Sequence, residues 1–242
     1  RNSSDIGIKA AENTLSKCNP KKINTCKLDV VFHPRVARTL LAHFASLVNG
    51  SSIVRGSSFL KEKLNQKIFK NEINIIDNPN IMRGLSSKPF DDEGCSMEKI
   101  SLVENGVLKN WILDTTTSKQ LGMVSNSRAS RGVSSPPTPS PTNMFIDNGS
   151  KSFNQILNEV NNGFYVTDLI GQGVNLITGD YSRGASGFKI ENGEISFPIN
   201  EVTIADNLND MFKKMTVADD LEFLYSINTP TLAIEGMTIA GV

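Results

Sequence analysis

Two Glu-Asn-Gly triplets, Glu104 to Gly106 and Glu191 to Gly193, lie inside runs rich in β-formers, "MEKISLVENGVLKNWILD" and "SGFKIENGEISFPINEVTIA". Asn-Gly supplies the two positive φ angles of a type I′ turn, so both segments are predicted to be antiparallel hairpins. The N-terminal third has a different period. "KLDVVFHP" reads as a buried strand stopped by Pro34, and Pro34 to Val48 reads as a helix. Val36, Ala37, Leu40, Leu41, Phe44, Leu47 and Val48 form its stripe; Pro34 suits its first turn, and Asn49-Gly50 ends it. Further helices are expected over Asp5 to Cys18, Phe59 to Phe69, Ser152 to Val160 and Asp206 to Met215, with a strand at "EINIID". The fold class is therefore α+β, dominated by antiparallel strands, with a curved or barrel-like sheet and a few packed helices.

Composition excludes some functions. At 242 residues, 38% hydrophobic and 21% charged, the chain can bury the core of one large domain or two small ones. Its 25 basic residues balance 25 acidic ones, so no global positive field points to direct nucleic-acid binding or to an anionic membrane. No apolar run approaches the roughly 18 residues of a membrane span. Three cysteines, Cys18, Cys26 and Cys95, suit a reducing compartment, and cytoplasm is the expected location. A chain that opens "RNSSDIGIKAAENTL" without an initiator Met is expected to continue upstream.

Several stretches could carry chemistry. The acidic trio Asp91, Asp92 and Glu93 in "PFDDEG" offers a hard-cation site or an acid/base pair, against the reading of a solvated turn after Pro89. "SRASRGVSSPPTPSPTNMFIDNGS" holds four prolines between Pro136 and Pro141, which suit a flexible surface loop or an ordered extended segment lining a groove rather than a sheet interior. "GSS" at Gly56 to Ser58 and "SRGASG" at Ser182 to Gly187 lack the G-x-S-x-G setting of a nucleophile, and "TGDYSRGASG" lacks the Gly-Lys-Ser/Thr ending of a phosphate loop. His43, on the flank of the helical stripe, is expected to be a half-buried imidazole satisfied by a hydrogen bond; His33, at a strand end before a proline, is expected to be structural.

Five ordered blocks, "VVFHPRVARTLLAHFASLVNGSSIVRGSSFL", "PFDDEGCSMEKISLVENGVLKNWILD", "SSPPTPSPTNMFI", "NGFYVTDLIGQGVNLITGDYSRGASGFKIENGEISFPINEVTIADNL" and "TPTLAIEGMTIAG", resemble the TldD/TldE (PmbA) family, the modulators of DNA gyrase. The resemblance runs from about Leu28 to Gly241. It implies that 28–242 is the β-rich C-terminal domain of such a protein, and that Arg1 to Lys27 connects it to an N-terminal α/β domain.

Within that family, the TldD-like branch is implied to be a zinc peptidase with HExxxH on the helix that here starts at Pro34, completed by a late cysteine. With "RGSSF" as the anchor, the three motif positions fall on Leu41, Ala42 and Ser46, and no cysteine follows Cys95. The resemblance therefore implies the TldE/PmbA branch: a chain with no catalytic residue and no cofactor, zinc being expected only in a TldD-like partner. The pair would act as a heterodimer on unfolded or extended peptide, with a self-dimer as the other assembly. Asp91, Asp92, Glu93, Ser135, Pro139, Ser140, Pro141 and Asn143 are the candidates for a groove or subunit contact. The rival readings are an independent hydrolase with an unrecognised site and a homodimeric peptide-binding module.

Overall fold

In the computed structural model, which describes residues 3–241, helix α1 (Ser3–Leu15) precedes strand β1 (Cys26–Phe32), which runs into helix α2 (Pro34–Leu47) and the short helix α3 (Gly50–Arg55). Next come β2 (Ile75–Asp77), β3 (Ile100–Glu104), β4 (Val107–Leu108), α4 (Thr115–Leu121), β5 (Ala129–Ser130), β6 (Thr138–Pro139) and β7 (Met144–Ile146). The remainder is α5 (Phe153–Val160), β8 (Asn162–Val174), β9 (Asp180–Glu191), β10 (Glu194–Asn207), α6 (Leu208–Lys214), β11 (Thr216–Val217), β12 (Ile227–Asn228) and β13 (Leu232–Ala240).

The main sheet closes on itself. Strands β8, β9, β10 and β13 pair in that order, and β1 pairs with both ends of the row, parallel to β8 and antiparallel to β13. The result is a five-stranded barrel with β11 added beside β13. The end of β1 is buried on both faces: Val30 and Phe32 enter the main core, while Val31 packs with Ile156 and Leu157 of α5. That is why Val30, Val31 and Phe32 form an unbroken apolar run rather than an alternation. A second sheet, in the order β12-β7-β2-β3-β4, lies outside the barrel.

Both Glu-Asn-Gly triplets form the expected turns. Asn105 and Gly106 have φ of 50° and 77° between paired Glu104 and Val107, and Asn192 and Gly193 have 52° and 77° between paired Glu191 and Glu194. The barrel, the antiparallel strands and the packed helices match the expected class. Helix α2 also forms as expected, with Val36, Ala37, Leu40, Leu41, Phe44, Ala45 and Leu47 buried. Helix α1 forms, but it runs over Ser3–Leu15 rather than from Asp5 to Cys18, and none of its described residues is buried.

Two local expectations need correction. Residues Phe59 to Phe69 are turns, not a helix: Asn65 sits at φ 62°, and the N–H groups of Asn65, Ile68 and Phe69 donate to Leu108 and Gly106 carbonyls, so the β3–β4 hairpin takes the bonds that a helix would make internally. Helices α3 and α4 were not expected. Asn49 caps α3, and Asp114 with Thr117 forms a capping box on α4, whose Thr-rich start is a poor helix former. Within the proline segment, Pro139 pairs opposite Ala129 in the two-stranded β5–β6 ribbon, where both strands are edges, in keeping with the expectation that these prolines stay out of a sheet interior.

Across the base of that ribbon runs a fully buried ion pair. Arg128 and Asp77 both have zero side-chain exposure. Arg128 Nε donates to Asp77 Oδ2, and its other nitrogens donate to the carbonyls of Asn126 and Glu98. Asp77 also accepts from the Thr142 N–H at 2.7 Å and the Thr142 hydroxyl at 2.9 Å. Removing one partner of such a pair strands the other charge. Arg128→Met should therefore lower stability by about 3–5 kcal/mol in urea unfolding; a loss under about 1 kcal/mol would show that the pair does not hold this region.

Candidate functional site

The end of β1 sets the site. Phe32 pairs with Leu232, so the residues after β1 lie beside those before β13. His33 is the N-cap of α2, its Nδ1 accepting from the Arg35 N–H at 3.0 Å, which is the structural role expected of it. Burial first, and Arg35 second, hold its imidazole below its ordinary pKa. Opposite it, Asp220 accepts from the Thr231 N–H and hydroxyl, both at 2.7 Å. These residues, with Arg38, Phe153, Tyr165, Tyr225 and Asn228, line a cavity of about 350 Å³.

A second cavity of about 270 Å³ adjoins it, with Leu224 and Tyr225 lining both. Its walls are the loop from Ile81 to Leu85 and the stretch Phe223 to Tyr225, with Asn143 between them. Each wall is held by one asparagine. Asn143 Oδ1 accepts from the Ser86 N–H, and its Nδ2 donates to the Asn78 carbonyl and the Ser87 hydroxyl. Asn228 Oδ1 accepts from the N–H groups of Leu224 and Tyr225, and its Nδ2 donates to the Tyr225 carbonyl. Met82, Leu85 and Phe223 stay 89%, 74% and 52% exposed, so the groove presents apolar surface to solvent.

The charges along the first cavity are unequal in their partners. Arg35 pairs with Asp168 at 2.6 Å and donates to the Thr167 carbonyl. Arg38 stacks on the Tyr225 ring, Cζ 4.3 Å from the centroid, and its buried Nε makes no hydrogen bond.

Of the sequence candidates, only Asn143 lines this groove. Asp91, Asp92 and Glu93 form a turn that is solvated only in part, Asp92 being exposed and Glu93 half-buried. Asp91 is 1% exposed and accepts from the N–H groups of Glu93, Cys95 and Ala129. Asp92 accepts from the Arg131 N–H and from Lys88, bonds that hold its carboxyl below the usual range, and Glu93 accepts from the N–H and hydroxyl of Thr115 at the start of α4. The trio thus ties the "PFDDEG" turn to the β5–β6 ribbon and to α4. Ser135 lies in the exposed ribbon tip, its hydroxyl accepting from the Gly132 N–H. Pro139 is buried with its carbonyl accepting from Asn49, Ser140 donates its N–H to the Arg128 carbonyl, and Pro141 is half-buried.

On α2, Leu41 is 1% exposed in the core, Ala42 is half-buried and Ser46 is exposed with its hydroxyl donating to the Ala42 carbonyl. His43 differs from expectation. It lies edge-on to Tyr181 with ring centroids 6.3 Å apart, and its buried Nε2 has no hydrogen-bond partner. Burial, then the nearby Arg183 guanidinium, lower its pKa. Among the described residues, no three of His, Cys, Asp and Glu come together as a ligand set. The "SRGASG" stretch is a barrel strand: a Cβ on Gly187 would lie 1.9 Å from the Tyr165 carbonyl oxygen, so glycine serves strand packing there. No helix among the described residues is long and apolar enough to cross a membrane.

The wall "ADDLEFLYSINTPT" escaped the sequence reading. Its signal is Leu221, Phe223, Leu224 and Tyr225, an apolar cluster of neither helical nor alternating period, followed by turn residues at Asn228 to Thr231.

The family model described as the PmbA/TldA metallopeptidase C-terminal domain matches residues 25–241. The metalloprotease PmbA of Escherichia coli O157:H7 is 39% identical over 237 residues, which are 98% of this chain and 51% of that protein. A solved structure from Thermotoga maritima, described as a modulator of a DNA gyrase, superposes with a TM-score of 0.90 at 30% identity, over 99% of this chain and 56% of that one. TldE from Thermococcus kodakarensis gives 0.88 at 25% identity, over 98% and 55%. The chain spans about half the length of the curated relatives it matches. Matched by that model over nearly all its residues, the chain belongs to the PmbA/TldD metallopeptidase family and carries its C-terminal domain.

Proposed function

We propose that this chain is the metal-free, non-catalytic subunit of a two-subunit peptidase. It packs against a TldD-like zinc subunit, helps to close a chamber around that subunit's metal, and holds extended peptide. The observation that carries the reading is the donor set of α2. Leu41 faces the core, Ala42 and Ser46 offer no metal ligand of the required kind, and His43 stands alone against Tyr181. Such a set does not fit zinc, which needs three protein ligands in a catalytic site. The similarity to a chain named TldE supports the same branch.

The contribution of this chain would then be positional. Fixing a substrate strand removes orientational freedom, an effect that can lower a barrier by several kcal/mol. A second reading, that the chain is itself catalytic, draws on the name metalloprotease carried by its Escherichia coli relative. The two readings part in a simple assay. Peptide cleavage should be absent with this protein alone, weak or absent with the TldD-like partner alone, and clear in the mixture, where chelator abolishes it. Chelator-resistant cleavage by this protein alone would establish the second reading; equal rates for the partner and the mixture would remove the positional role.

Elemental analysis after mild dialysis should find no stoichiometric zinc in the purified chain. One zinc per chain, lost in His43→Ala, would overturn the proposal.

If His43 serves the fold alone, its titration should appear only in stability. Its pKa is lowered in the folded state, so the unfolded chain binds more protons as pH falls below about 6.5. Stability should be unaffected by this group above that pH and should decline below it, levelling off under the folded pKa. His33 acts in the same direction. His43→Gln should reduce the drop in urea midpoint between about pH 7 and pH 5.5 without altering cleavage by the mixture. An unchanged drop would show that His43 is not the group responsible.

A further inference from the structure

We infer that the groove along α2 is a peptide site with a carboxylate anchor: Arg38 receives a carboxylate of the bound peptide, and a neighbouring apolar side chain enters the cavity between Met82, Leu85 and Phe223. The inference rests on the peptide-holding reading above and names the chemistry that the groove selects.

Three observations carry it. The first is an unused donor. The other charges that line the first cavity are Lys9, Arg35, Asp220 and Glu222; Arg35 pairs with Asp168, Asp220 accepts from Thr231, and Glu222 has a contact of its own. Among the described residues no carboxylate forms an ion pair with Arg38, although Asp220 and Glu222 line the same cavity; its Nε is closed off from solvent without a hydrogen bond, so a ligand would meet the two outer guanidinium nitrogens. The second is preorganisation. The Arg38 guanidinium lies over the Tyr225 ring, and Asn228 holds the Tyr225 backbone, so part of the side-chain freedom of Arg38 is already lost before a carboxylate binds in a forked geometry. The third is continuity. Leu224 and Tyr225 line both cavities, so the two adjoin, and the residues of a peptide next to one held at Arg38 lie within reach of the exposed apolar walls of the second. A charged end followed by an apolar side chain describes a peptide better than a free inorganic anion, which would leave that second cavity unfilled. Of the cations that line the first cavity, Lys9, Arg35 and Arg38, it is Arg38 that lies over Tyr225, a residue shared with the second cavity.

The carboxylate could be the C-terminus of the peptide or an acidic side chain, and binding separates them. Calorimetry on the protein would use three probes: an N-acetylated pentapeptide of alanine and leucine with a free C-terminus, its C-terminal amide, and an amide carrying one internal glutamate. At least one of the two carboxylate peptides should bind about tenfold more tightly than the plain amide. The free acid alone identifies a C-terminal anchor, and the glutamate peptide a side-chain anchor. Arg38→Met keeps the stem packed on Tyr225 and should erase the preference, with the urea midpoint reporting that the fold survives. Met82→Ser should weaken all three peptides by a common factor and keep the preference. Equal affinity for the three probes, no binding of any, or a preference that survives Arg38→Met would overturn the inference. Cleavage by the mixture with the TldD-like partner would stand through such a failure if it still required this chain, so the loss of the anchor and the loss of the positional role are told apart.

Discussion

Strand β1 is the constraint on which the rest depends. Pairing with β8 on one side and β13 on the other, it closes a sheet that would otherwise expose two edges, and its end is buried on both faces. Its register with β13 also sets the groove. With Phe32 opposite Leu232, the cap of α2 at His33 and the Thr231–Asp220 contact become neighbours across the barrel rim. A shift of one residue would turn Val30 and Phe32 out of the main core and move the first turn of α2 away from the wall it faces. Each large apolar side chain so displaced would lose about 1.5–3 kcal/mol of burial, and the register is held by that cost.

The second wall depends on a different kind of contact. Asp77 ends β2, Thr142 and Asn143 precede β7, and Arg128 lies in the entry to the ribbon, so the buried pair joins three segments distant in sequence. An ion pair of this sort adds little net stability compared with apolar packing. Its geometry is nevertheless specific: it fixes where β2 ends and therefore where the Ile81 to Leu85 loop begins, and Asn143 then binds that loop directly. The groove is the seam between the barrel, held by apolar register, and the second sheet, held by buried polar bonds. Helix α2 belongs to both. Its buried stripe anchors it strongly enough to carry an unpartnered His43 Nε2, whose desolvation costs about 1–3 kcal/mol, less than two of its buried leucines contribute.

Much of the fold was legible because its signals are local. Asn105-Gly106 and Asn192-Gly193 need no partner to declare a turn, and the spacing from Val36 to Leu47 declares a helix with one buried face. The helix expected over Phe59 to Phe69 failed because its backbone donors are claimed by a hairpin some 40 residues away, which no window of sequence contains. The site was less legible. The acidic trio stood out by composition and proved to be a set of ties to backbone N–H groups and Thr115, whereas Arg38, inside a helix already explained by its apolar stripe, gave no sign of lying unpaired beside a cavity.

The sequence by itself determined the class of fold, the two hairpins, the helix after Pro34 and the absence of metal-ligating side chains at Leu41, Ala42 and Ser46. These are properties of residue type and short-range spacing, which the chain states locally. Only the tertiary structure decided that β1 closes a barrel, that Asp77 and Arg128 meet without solvent, and that Arg38, Tyr225 and Met82 border one groove. Those outcomes depend on which distant segments exclude water from one another, and burial is a property of the assembled chain rather than of any stretch within it.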